Sequence, residues 1–178
     1  MRFLTRPSAR YRDTYLDALG EFHREGRYFL FEIEATAADF GRYVDGLLAE
    51  ETPPAFSARV PVTYCWLMDG TSESDPDAQY IGYVSIRHRL DDYLLRLGGH
   101  IGYAIRPSRR RRGYGTDILR LALPKARELG LSRVLITCDA DNVGSKKIIE
   151  RNGGVFENAV PYEELGRKIM KLRYWIDL

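Results

Sequence analysis

The sequence predicts a mixed α/β fold with six to seven strands, mostly antiparallel. Three observations carry that expectation. Residues 60–106 alternate apolar and polar side chains with period two, interrupted by polar turns. Residues 100–138 then read strand, helix, strand, which is the pattern of a crossover between parallel neighbours. Two further strand-like segments, 154–158 and 167–177, close the chain.

Taken in order, residues 1–5 form a short strand. Ser8 caps a first helix that places Tyr15, Leu19 and Phe22 on one side and stops at Gly26. Thr36 caps a second helix with Phe40, Val44, Leu47 and Leu48 on its apolar face, and Pro53 and Pro54 prevent its continuation. Val60, Val62, Tyr64, Trp66 and Met68 share one face of the next strand, and YIGYVSIRHRL returns as its hairpin partner. GGHIGYAIRP is a third strand, stopped by Pro107. A helix over 115–129 aligns Ile118, Leu119, Ala122, Ala126 and Leu129; Pro124 inside it predicts a kink or broken turn, and Gly130 closes it. SRVLITCD is apolar almost throughout, as a central strand is, and a short helix follows from Asn142 to the Gly153-Gly154 pair. In the final strand Met170, Leu172, Tyr174 and Ile176 alternate with charged neighbours.

The 178 residues suit a single domain spanning 1–178, with 44% hydrophobic and 29% charged residues. A net charge of +2 does not make a polycation, so bulk nucleic-acid binding is not expected despite four consecutive arginines, Arg109 to Arg112. No apolar run approaches a bilayer-spanning length, and the N-terminal residues lack the apolar core of a signal peptide; no membrane association is expected. Cys65 and Cys138 sit in apolar runs as buried free thiols, which fits a reducing, cytoplasmic setting.

The segment RPSRRRRGYGT joins the third strand of the 60–106 run to a helix. A helix N-terminus presents unpaired N–H groups and partial positive charge, and Gly113 and Gly115 let the backbone approach a ligand closely. These parts suit a diphosphate; a solvated basic loop is the competing reading. The loop is neither G-x-x-x-x-G-K-[ST] nor G-x-G-x-x-G, which excludes the two commonest nucleotide loops.

Arg110-Arg-Arg-Gly113-Tyr-Gly115 matches the R/Q-x-x-G-x-G/A loop of the GCN5-related N-acetyltransferases (GNAT), and the sequence resembles that family over residues 80–158. IGYAIRP resembles the family's fourth strand. LITCDADNVGSKKIIERNGG resembles its second motif, with Asn142 at a strand end, Ser145 three positions on, and Gly153 after the helix. GGHIGYAIRPS, LITCDADN, RNGGVFEN and RYWI are most similar to a bacterial group of predicted acetyltransferases. The resemblance implies helices on both faces of the sheet and splayed central parallel strands holding acetyl-CoA between them, with no metal. Main-chain groups of Tyr103 and Ile105 would pair with the pantetheine arm. Backbone N–H groups from Arg111, Arg112, Gly113, Tyr114, Gly115 and Thr116 would hold the pyrophosphate, with Arg110 as the motif residue. Asn142 would bind pantetheine or order the strand end, and Ser145 and Lys146 would neighbour the cofactor, Lys146 alternatively being solvated.

The implied reaction is direct acetyl transfer to a primary amine of a small molecule or peptide, which requires deprotonation of that amine. Two departures matter. The family's usual acid, a Tyr seven residues after the Asn, is Ile149, and the fourth strand carries no Glu as base. His100 is the nearest titratable group and the candidate base, against a structural role for the same imidazole; His88 lies on the neighbouring strand. Asp139 and Asp141 either face the acceptor or cap the next helix. A catalytically weak or inactive acyl-CoA-binding module is the alternative, and a homodimer is common in the family.

Overall fold

The computed structural model describes residues 1–28, 32–164 and 166–178. Its elements run β1 (Arg2–Thr5), α1 (Arg12–Arg24), α2 (Ile33–Ala38), α3 (Phe40–Ala49), β2 (Val62–Asp69), β3 (Gln79–Arg87), β4 (Ile101–Ile105), α4 (Tyr114–Glu128), β5 (Arg133–Asp139), α5 (Val143–Arg151), β6 (Val155–Glu164) and β7 (Arg167–Asp177). This is the expected mixed, mostly antiparallel architecture, but its strands form two sheets. One is ordered β1-β2-β3-β4 and the other β5-β7-β6, with every pairing antiparallel.

Period-two alternation in β2 sends its side chains into two separate cores. Trp66 and Met68 join Tyr15, Leu19, Phe40 and Val44 under α1 and α3. Cys65 and Leu67 join Ile118, Leu119, Ala122 and Ile149 under α4 and α5. Helices therefore cover both faces. Each large apolar side chain so enclosed contributes about 1.5–3 kcal/mol.

Helix boundaries differ locally from the sequence expectation. Ser8 precedes a 3₁₀ turn, Ala9–Tyr11, and makes no side-chain cap; α1 starts only at Arg12. Thr36 lies inside the short α2, and Asp39 caps α3 instead, accepting the Arg42 N–H at 3.1 Å. A carboxylate next to the helix start also satisfies the dipole, which a threonine does not. Helix α4 continues through Pro124, without the expected break. Neither Asp139 nor Asp141 caps α5; the Asn142 side chain does, accepting the Ser145 N–H at 2.9 Å.

The crossover strands β4 and β5 share no ladder. They meet near their starts, where the His100 N–H donates to Leu135 O at 2.7 Å and the Leu135 N–H donates to His100 Nδ1 at 2.8 Å. Gly99 makes this approach possible. Its φ is +68°, and a Cβ there would stand 2.6 Å from Leu135 O. Beyond this junction the strands part, leaving a wedge-shaped gap between the two sheets.

Candidate active site

The gap is a cleft of about 570 Å³ walled by the end of β4, by the loop 110–113 and the first turn of α4, and by Asn142 and one side of α5. On the β4 side, Arg106 N–H bonds to Ile81 O and His100 O accepts from the Arg87 N–H. Antiparallel alternation then directs the main-chain groups of Tyr103 and Ile105 away from β3, toward the cleft. At the far end lies the arginine loop. Arg111 has φ +60° and Gly113 φ +84°. A non-glycine residue in the left-handed region is uncommon, and such residues turn successive N–H groups to one side. Among the described residues, none of the N–H groups from Arg111 to Gly115 is paired with a backbone carbonyl; those of Thr116 and Asp117 turn back to Gly113 O. Arg27, Arg110, Arg111, Lys147 and Arg151 line the same cleft, and no carboxylate among the described residues lines it.

Tyr103, Ile105, Arg110, Arg111, Gly113, Gly115, Thr116, Asn142 and Ser145 are thus brought together in one place. Arg112, Tyr114 and Lys146 do not line the cleft with them. Arg112 O accepts from Arg2, whose guanidinium lies 4.0 Å over the Tyr114 ring and pairs with Asp117. The Tyr114 hydroxyl turns to Asp69. Lys146 points to Glu150 at 3.9 Å, and the next residue, Lys147, faces the cleft. Arg110 is more constrained than a solvated arginine. It makes two bonds to Glu25, at 2.7 and 2.8 Å, and its Nε donates to Ile105 O at 3.0 Å. This ties the loop to the end of α1. Glu21 reinforces the tie, accepting from Arg106 at 2.6 and 3.0 Å and from Ser108 N–H and Oγ at 2.9 and 2.8 Å. Burial alone would raise the Glu21 carboxyl, but these donors outweigh it and hold the pKa below the usual range.

His100 stands at the closed end of the wedge, 7% exposed, and does not line the cleft. Burial first, then Arg87 and Arg133, push its pKa down to about 4. Tyr103 and Ser145 face each other across the gap, their hydroxyls 2.9 Å apart. Burial pushes the Tyr103 phenol up to about 12, against the opposing effect of the Ser145 hydrogen bond.

The acetyltransferase (GNAT) domain family matches residues 10–155, well over half of the chain. The chain belongs to the GNAT acetyltransferases. None of the curated proteins compared with it matches. Among solved structures, the chain is similar to the microcin C7 self-immunity acetyltransferase MccE in complex with acetyl-CoA and AMP, at 15% identity and TM-score 0.66, covering 99% of this chain and 92% of that one. A GNAT-family acetyltransferase from Bacillus anthracis matches at 16% identity and TM-score 0.66, over 99% and 94% of the two chains. One from Streptococcus pneumoniae matches at 14% and TM-score 0.65, over the whole of both. At these identities the likeness establishes the fold alone.

Within this GNAT fold, Ile149, where the resemblance leads one to expect Tyr, is fully buried in the core between α5 and the sheet and contributes packing. A second cavity, of about 200 Å³, opens between α1, α3, β2 and β3. Tyr15, Tyr28, Tyr43, Tyr64, Tyr80 and Tyr83 line it together with Phe22, Trp66, Ser85 and Arg87. Tyr15 bonds to Tyr43 and stacks on Trp66 at 5.0 Å; Tyr28 and Tyr83 share a hydroxyl contact of 3.0 Å. Burial raises the phenols of Tyr15, Tyr80 and Tyr83 far above their usual range, so they stay protonated. The cavity adjoins the cleft across one strand pair. Tyr83 and Ser85 oppose Ala104 and Gly102 on β4, and Ala104 lines the cleft. The sequence offered no pattern for this cavity, since its tyrosines come from separate elements and alternate as ordinary core residues do.

Proposed function

We propose that the protein is an acetyl-CoA-dependent N-acetyltransferase acting on a primary amine of a small molecule or peptide. The observation that carries this reading is the cleft beside the β4 edge: among the described residues it ends in N–H groups unpaired with backbone carbonyls and is lined by Arg27, Arg111, Lys147 and Arg151, with Arg110 held by Glu25, and by no carboxylate. A diphosphate and a third phosphate, as coenzyme A carries, fit that donor set. Acetyl-CoA, when bound, supplies the activated acetyl group. The chain's own part is to hold and orient: N–H groups of Arg111, Gly113 and Gly115 with the Arg111, Lys147 and Arg151 side chains for the phosphates, and main-chain groups of Tyr103 and the Ile105 N–H for an extended arm.

No described residue lining either the cleft or the tyrosine cavity is a carboxylate or an imidazole. We read His100 as a positioning residue that pins β4 to β5, because its Nδ1 already accepts a hydrogen bond and its pKa suits a permanently neutral ring. The amine therefore reacts as its free base, shedding its proton to water, and kcat/KM rises with pH up to the acceptor's own pKa. Tyr103, protonated throughout the neutral range and bonded to Ser145 across the cleft, is the phenol proposed to donate a hydrogen bond to the departing thiolate, which leaves unprotonated and takes its proton from water. Tyr103→Phe should lower kcat with little change in the KM for acetyl-CoA; an unaltered kcat removes the role.

The buried cysteines suit a reducing, cytoplasmic setting. The reading is tested by thermal unfolding with acetyl-CoA and by thiol release with a panel of amines; absence of stabilisation at millimolar acetyl-CoA would overturn the cofactor assignment. A non-catalytic acyl-CoA-binding module is the second reading, favoured by the missing base. It predicts stabilisation without thiol release for any amine.

A further inference from the structure

The geometry points to an acceptor that carries an oxyanion as well as its amine, seated in the tyrosine cavity with the oxyanion on Arg87 and an apolar or aromatic body among the tyrosines. This rests on the N-acetyltransferase reading and names the substrate class for it.

Arg87 is the only charged side chain lining the cavity among the described residues. Its Nη1 donates to Gly99 O at 3.0 Å and lies 3.4 Å from Gly98 O; no carboxylate among the described residues pairs with it. Main-chain carbonyls position the guanidinium but do not neutralise it. A half-buried arginine facing aromatic walls is a ready partner for a carboxylate or a phosphorus oxyanion, which accept its planar fork in two bonds. It repels an acceptor whose only charge is an ammonium.

Its placement also fits the chemistry. A Cβ built at Gly102 would lie 3.8 and 3.9 Å from the two Arg87 terminal nitrogens and 3.2 Å from Ser85 Oγ. The guanidinium therefore stands directly over a β4 residue that has no side chain, beside the strand whose other end lines the cofactor cleft. An acceptor anchored here has its amine within one strand of the acetyl path. The volume, about 200 Å³, lies below the roughly 300–1,000 Å³ of drug-sized sites, so the occupant is a small molecule. Cavity walls of tyrosine favour an apolar or aromatic remainder.

The test compares matched amines with acetyl-CoA present. Phenylalanine, leucine and methionine are assayed beside their amides and decarboxylated amines, and beside aminoalkylphosphonates of the same side chains. Wild-type protein should prefer the oxyanion-bearing member of at least one set by roughly 100-fold in kcat/KM. The carboxylate and phosphonate arms identify which oxyanion is native. In Arg87→Gln that preference should fall by about tenfold or more, through KM. The acetyl-CoA-induced rise in melting temperature, measured on the same samples, certifies that the variant is folded and loaded. Should no amine turn over, calorimetry of the same sets with CoA-saturated protein reads the preference directly. Equal use or binding of charged and uncharged members, or a preference that survives Arg87→Gln, overturns the inference while leaving cofactor binding intact. Loss of the acetyl-CoA shift in wild type instead overturns the underlying functional reading.

Discussion

The cleft and the tyrosine cavity lie on either side of the β3–β4 ribbon and are built in opposite ways. The cleft is made mostly of main-chain groups and cations from two short stretches, 103–116 and 142–151, with Arg27 added from after α1. The cavity is made of side chains drawn from α1, α3, β2, β3 and the residues after α1. A site built from backbone tolerates most substitutions and fails where a glycine is required. A site built from side chains changes with almost every substitution. The first arrangement suits a ligand common to a whole family, and the second a ligand particular to one member.

Several variants break or sharpen this contrast. The largest effect is expected at the link between the two sites, Glu21 with Arg106, whose side chains are 14% and 8% exposed. Glu21→Ala leaves a buried guanidinium without its carboxylate and should cost about 3–5 kcal/mol in urea unfolding. Glu21 has a depressed pKa, so its contribution is present above the unfolded value and is lost as pH falls through the folded one.

His100 gives a similar but separable acid sensitivity. Its pKa falls from 6.5 unfolded to about 4 folded, so stability is complete above 6.5 and declines as pH drops toward 4. Discounted for solvent screening, the span corresponds to about 1–3 kcal/mol. His100→Gln should flatten that part of the stability–pH curve; an unchanged curve would show that the ring is not held neutral at the β4–β5 junction.

Gly113→Glu should weaken coenzyme A binding by about 100-fold, since it sets a carboxylate among phosphate donors at φ +84°. The near-ultraviolet signal of the tyrosine cavity should survive, and its loss would mean that the two sites are not independent. Smallest is Tyr15→Phe, which removes the hydroxyl contact with Tyr43 for about 1 kcal/mol. It should leave the affinity for coenzyme A unchanged in calorimetry while altering acceptor KM.

The same contrast explains what could be read in advance. Gly113 and Gly115 announce themselves because a turn and a close approach each favour glycine: a Cβ at Gly115 would stand 2.4 Å from Ile148 Cδ1. The alternation of β2 likewise gave its two faces. Asn142 came only through the family resemblance, and its capping of α5 was expected of Asp139 or Asp141 instead. The splaying of β4 from β5 was implied only by the family resemblance, because either strand alone reads as an ordinary apolar strand, and their complete separation into two sheets was not expected. Whether Lys146 or Lys147 faces the cleft depends on one step of helical phase, about a third of a turn. Arg27 sits far along the chain in a stretch with no motif. His100 looked like a base because composition shows a titratable group, whereas its commitment to the Leu135 N–H depends on a strand that arrives 35 residues later.

The parting of β4 from β5 has a consequence for solubility. Exposed strand edges are sites where other chains add on and aggregation begins. Here the edge of β4 is recessed in a wedge lined by like charges, Arg27, Arg111, Lys147 and Arg151. A polypeptide strand needs about 4.8 Å of room on each side and brings its own side chains. A thin, unbranched arm tipped with phosphates meets neither obstacle. Under the proposed function the wedge is thus a sieve as well as a binding site, keeping an adhesive edge available to a slender anionic ligand and closed to other proteins.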